Sequence, residues 1–139
     1  MVLSDEKGMA LVGVIMVVLI FSSLGAAMLS IAERESMIAR DEEAALQALY
    51  AAEGGLRKVI MELKNNPEVD VGEICEDYTN YRVGQAKIEN ISYEESENYL
   101  DVTATGTAKN ARKTLVTRIS KLPDSGVKVV FWKELSSIY

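Results

Sequence analysis

Histidine is absent from this chain, which removes imidazole from every proton-transfer or metal-ligand scheme. Cysteine occurs once, as Cys75, so no disulfide forms within the chain, and the lone thiol reads as a small, partly buried residue. Proline occurs only at Pro67 and Pro123, so nothing before Pro67 forces a helix to stop. Charge is missing from Gly8 to Ala32, and all but Asp5, Glu6 and Lys7 of the charged residues lie beyond that stretch. Basic clusters are missing too. With 15 Lys and Arg against 21 Asp and Glu, the net charge of -6 lacks the cationic stripe that phosphate binding requires, so nucleic acid is not expected as a direct partner.

The familiar catalytic patterns are also lacking. There is no Gly-x-Ser-x-Gly elbow and no Cys/His pair, and Gly54-Gly55 is followed by no Gly-Lys-Ser/Thr phosphate loop. The acidic groups in 68–77 and 94–97 do not follow the spacing of a calcium loop and read as solvated charge. The expectation is a protein with no enzymatic activity, no cofactor and no metal.

What is present begins with Met9–Ile31 (MALVGVIMVVLIFSSLGAAMLSI). At about 1.5 Å per residue a helix of this length covers the roughly 30 Å hydrocarbon core of a bilayer. The apolar run is too long for the core of an ordinary cleaved signal. Ser22, Gly25 and Ala26 put small residues on one side of that helix, where another helix can come close. Flanking charges of both signs leave the orientation undecided by the positive-inside rule.

Beyond Ala32 the helical pattern continues to Asn65, and Asn65-Asn66-Pro67 supplies a stop. Leu49, Ala52, Leu56, Val59, Ile60 and Leu63 recur at three- and four-residue steps and predict the stripe that packs on a sheet. Arg57, Lys58, Glu62 and Lys64 are expected on the opposite, solvated face, and Gly54-Gly55 marks a bend or a close contact. An unbroken helix from Met9 to Lys64 would be about 84 Å long.

After Pro67 an acidic loop of unassigned structure leads into strand patterns at Val83–Tyr93, Tyr99–Ala108 and Lys113–Lys121, with hairpin loops at 94–98 and 109–111. A turn at Pro123-Asp124-Ser125-Gly126 and a fourth strand, Val127–Trp132, complete the pattern, with Trp132 expected in the core; Trp132 and Tyr139 forming an exposed contact surface is the other reading. The fold class predicted is α+β: a long N-terminal helix, transmembrane in its first half and amphipathic in its second, packed on a small antiparallel four-stranded sheet. The divisions are a leader at 1–8, a transmembrane and assembly helix at 9–32, an amphipathic helix at 33–65 and a sheet domain at 66–139.

The leader Glu6-Lys7-Gly8 ahead of Met9-Ala10-Leu11-Val12 resembles a class III signal peptide of type IV pilins. That resemblance implies cleavage between Gly8 and Met9 by prepilin peptidase and methylation of the new N-terminus. The run Ala44-Ala45-Leu46-Gln47-Ala48-Leu49-Tyr50-Ala51-Ala52-Glu53-Gly54-Gly55-Leu56-Arg57, with Asp41 and Glu42 ahead of it, is similar to the conserved helix of PilX-type minor pilins. Thr103–Thr107 and Val129–Glu134 look like the closing strands of the same family. In major pilins the fifth mature residue is a glutamate; counted from Met9 it is Gly13 here, an absence shared with PilX-type minor pilins and GspK-like tip pseudopilins.

The resemblance therefore implies a minor pilin or pseudopilin that helps initiate or cap a type IV pilus or a related filament. Its partners would be membrane lipid, prepilin peptidase and other minor pilins or pilin subunits. It would sit in the inner, cytoplasmic membrane as a single-pass protein with an extracytoplasmic head, or at a filament tip. A signal-anchored membrane protein with a small extracytoplasmic binding head, outside any filament, is the alternative reading.

Overall fold

The computed structural model describes residues 3–120 and 126–135, with side chains from residue 8 onward. Two units can be distinguished, Met1–Arg40 and Asp41–Tyr139. One helix, α1 (Leu3–Asn65), belongs to both and runs for 63 residues without interruption. Proline is absent from it, and its five glycines are outweighed by the apolar and long-chain residues of good propensity that dominate. It ends where Asn66 N–H donates to the Glu62 carbonyl at 2.8 Å, one residue before Pro67.

In the first unit, every described side chain from Gly8 to Arg40 is exposed. In the second unit the remainder of α1 lies on an antiparallel sheet. A short helix, α2 (Val71–Tyr78), comes first, then β1 (Arg82–Val83), β2 (Ala86–Glu95), β3 (Tyr99–Ala108), β4 (Ala111–Ser120) and β5 (Lys128–Leu135). The strands pair in chain order, β1-β2-β3-β4-β5, each antiparallel to the next, a simple meander with β1 and β5 at the edges. The α+β class and the helix-on-sheet arrangement are those expected from the sequence. The sheet has five strands rather than four because Arg82–Val83 turns back onto Ala86 through Gly84, whose φ of 63° suits glycine.

The acidic segment after Pro67 contains α2. Asp70 caps it, its carboxylate accepting from Gly72 N–H at 2.8 Å, and Thr79 closes it with its hydroxyl donating to the Cys75 carbonyl at 2.7 Å. Val71, Ile74, Cys75 and Tyr78 fall at helical spacing and turn toward the core, while the acids face outward. The hairpin loops are tighter than their composition implied. β2 runs to Glu95 and β4 starts at Ala111, leaving Ser96–Asn98 and Lys109-Asn110 as connections. Lys121, the Pro123-Asp124-Ser125 part of the predicted turn, and Tyr139 lie outside the described residues.

The core is the layer between α1 and the inner face of the sheet. Leu56, Val59, Ile88, Leu100, Val102 and Ile119 are its large, fully enclosed members. Burial of each such side chain contributes roughly 1.5–3 kcal/mol before entropy is counted.

Candidate functional site

Among the described residues no cleft gathers catalytic groups, and the candidate sites considered are surfaces. The first is the apolar part of α1. Among the described residues, the chain has one helix long and apolar enough to cross a membrane, Gly8–Asn65, and its most hydrophobic window is unburied. Met9 is exposed, and the positions of Gly13 and Gly25 open into empty space, where an added Cβ would meet nothing within 4 Å. Ser22, Gly25 and Ala26 are likewise exposed, at spacings of three and four that place them on one side of the helix. The helix continues through Gly8 and Met9, the residues that flank the predicted processing site.

The second surface is the buried stripe of α1 in the head. Ala52, Leu56, Val59, Ile60 and Leu63 are buried as expected, and Leu49 is half-buried against the same cluster. The predicted stripe omitted Ala44, Ala48 and Ala51, which are buried as well. They give the helix an alanine face, and at Ala48 and Ala52 its backbone meets β3 at Gly106, which offers no side chain. A Cβ built at Gly106 would overlap the Ala48 carbonyl oxygen and lie 2.7 Å from Ala52 N. Helix backbone and strand therefore touch directly. Of the glycine pair, Gly54 is open, whereas Gly55 packs against Ile88 and Ile91, whose methyl carbons would stand 3.2–3.3 Å from an added Cβ.

Two of the residues expected on a solvated face are half-buried instead. The Glu62 carboxylate accepts a hydrogen bond from the Tyr78 hydroxyl at 3.2 Å, and Lys58 Nζ stands 4.8 Å from the Tyr78 ring centre and 5.4 Å from that of Tyr81. Burial, then the Glu62 carboxylate, pushes the Tyr78 hydroxyl above its ordinary value. These contacts tie α1 to α2 and to the start of β1; Arg57 and Lys64 remain exposed as expected.

Trp132 is the clearest correction. It was expected to close the core, yet it is 40 % exposed. The reason is its strand: β5 is the last strand of the sheet, and most of its length is exposed. On the face turned away from α1, Arg118 makes a bidentate pair with Asp101 at 2.6 and 2.7 Å, between the rings of Tyr99 and Phe131. The guanidinium holds the Asp101 carboxyl below its usual range. At such exposure water screens the pair, which makes it a weak contributor to stability.

Cys75 is buried rather than partly buried, and burial pushes its thiol up to about 11. A groove of about 730 Å³ opens between Leu63, Val71, Tyr93, Leu100 and Ile119. Among the described residues no three His, Cys, Asp or Glu side chains converge in a way that would hold a metal ion. No family model, curated protein or solved structure matches this chain.

Proposed function

We propose that this chain is a minor pilin or pseudopilin, a structural subunit that helps initiate or cap assembly of a type IV pilus or a related filament. One observation carries the reading. A single uninterrupted helix is apolar and unburied through its first part, then becomes the central packing element of a small α+β head. A soluble protein gains nothing from a naked apolar helix of that length. A subunit stored in lipid and later packed helix against helix needs one.

In this reading residues 1–8 are a leader, prepilin peptidase cuts between Gly8 and Met9, and the head stands on the extracytoplasmic side of the cytoplasmic membrane. Gly13 supports a particular position within that assembly. A mature N-terminal ammonium inside an apolar bundle costs several kcal/mol unless a carboxylate offsets it. Gly13 supplies none to a subunit stacked on this one, so a starting or tip place suits the chain better than a repeating one. The work is done by surfaces, with other minor pilins or pilin subunits as partners.

Deletion of the gene in its own host, followed by shearing and weighing of surface filaments, tests the role. The expected outcome is loss of most filaments, with this chain present in wild-type filaments at a small fraction of the main subunit. Filaments unchanged by the deletion, or built chiefly of this chain, contradict it.

A further inference from the structure

Among the described residues no strand pairs with the outer edge of β5, and four of its apolar side chains are exposed: Val130 by 51 %, Phe131 by 38 %, Trp132 by 40 % and Leu135 by 41 %. An edge of that kind is a template for another strand. Its register decides which strand fits. Phe131 pairs with Arg118 and Val129 with Ile119, so Val130 is an extra residue, a bulge. As a result Lys128, Phe131, Lys133 and Leu135 all fall on the face away from α1, while Trp132 and Glu134 fall on the other.

The charges are selective. Glu134 is already held by Lys113 at 2.6 Å, whereas Lys128 and Lys133 have no ion-pair partner among the described residues. The uncompensated charge of the edge is positive. A second β5, paired antiparallel so that Phe131 faces Leu135, would set Lys133 against Lys133, and like charges directly opposite destabilise a pair. In that register the edge repels its own copy, and its two unpaired lysines complement an acidic strand.

We propose that the free edge of β5 accepts an extended strand from a partner protein, apolar opposite Phe131 and Leu135 and acidic opposite Lys133. Main-chain hydrogen bonds would supply affinity and the alternating side chains specificity. The inference rests on the edge alone and stands whether or not the filament reading does.

Trp132 is the chain's one tryptophan, so its fluorescence reports on β5 directly. The full chain in nanodiscs of neutral lipid is titrated with a synthetic valine- and threonine-rich peptide bearing glutamates, and with its lysine counterpart. A saturable blue shift with the glutamate peptide, and little with the lysine one, is expected. The exposed double substitution Lys128→Glu with Lys133→Glu should reverse the preference and weaken the glutamate peptide about fivefold, with the thermal transition unchanged.

No shift with either peptide, or equal shifts with both, overturns the proposal. A concentration-dependent shift without peptide would assign the edge to a second copy. A shift in nanodiscs of anionic lipid without peptide would assign it to the membrane surface. Either also overturns the proposed occupant.

Discussion

At the scale of single residues, the tightest constraint on the head is Gly106. Alanine there would drive its Cβ into the backbone of α1 at Ala48 and Ala52, and backbone in mid-helix cannot swing aside as a side chain can. Gly106→Ala should cost about 3 kcal/mol or more, read as a lower urea midpoint with the slope unchanged. By contrast Gly54→Ala, with nothing near its Cβ, should be neutral or stabilising by up to about 1 kcal/mol. Cys75 makes a second prediction. Its thiol ordinarily ionises near 9.0, and burial raises this to about 11 in the folded chain. The unfolded chain then loses its proton first, so this contribution to stability is complete below pH 9 and declines as pH rises from 9 toward 11. Thermal melts across that range should show the decline for the wild type and less of it for Cys75→Ala. Alkylation near neutral pH should be slow until denaturant is added.

At the scale of elements, α1 was legible because its signals are long: the uncharged run from Gly8, the stripe from Leu49 to Leu63 and the stop before Pro67. The strands β2, β3 and β4 were legible from β-branched alternation. The short helix α2 was hidden by its acidic composition, although Asp70 as a cap and the spacing of Val71, Ile74, Cys75 and Tyr78 were there to be read. Asp70→Ala should cost about 1 kcal/mol, seen as faster amide exchange through Val71–Tyr78. The alanine face of α1 was missed because Ala44, Ala48 and Ala51 are small. Its signal lay in a different element, the lone glycine in the strand pattern Tyr99–Ala108. Between the two readings of Trp132, core and exposed surface, the sequence pattern did not decide. Alternation says which side of a strand a residue takes, but not that the strand is last in its sheet and outside the helix's cover.

At the scale of the whole molecule, an unburied apolar helix and a compact head share one uninterrupted helix, and this argues for a subunit kept in lipid until assembly. Of the candidate sites, the packing stripe could be read from periodicity. The processing junction and the meaning of Gly13 came from a resemblance, which geometry alone neither supplies nor replaces. The central claim is that this chain is matured as a pilin. It is tested most directly by the intact mass of the protein recovered from membranes, with and without co-expressed prepilin peptidase. The account predicts a peptidase-dependent loss of residues 1–8 and the mass of one methyl group added at Met9. A full-length chain, under conditions in which a control prepilin is processed, would contradict it and leave a signal-anchored protein whose head acts outside any filament.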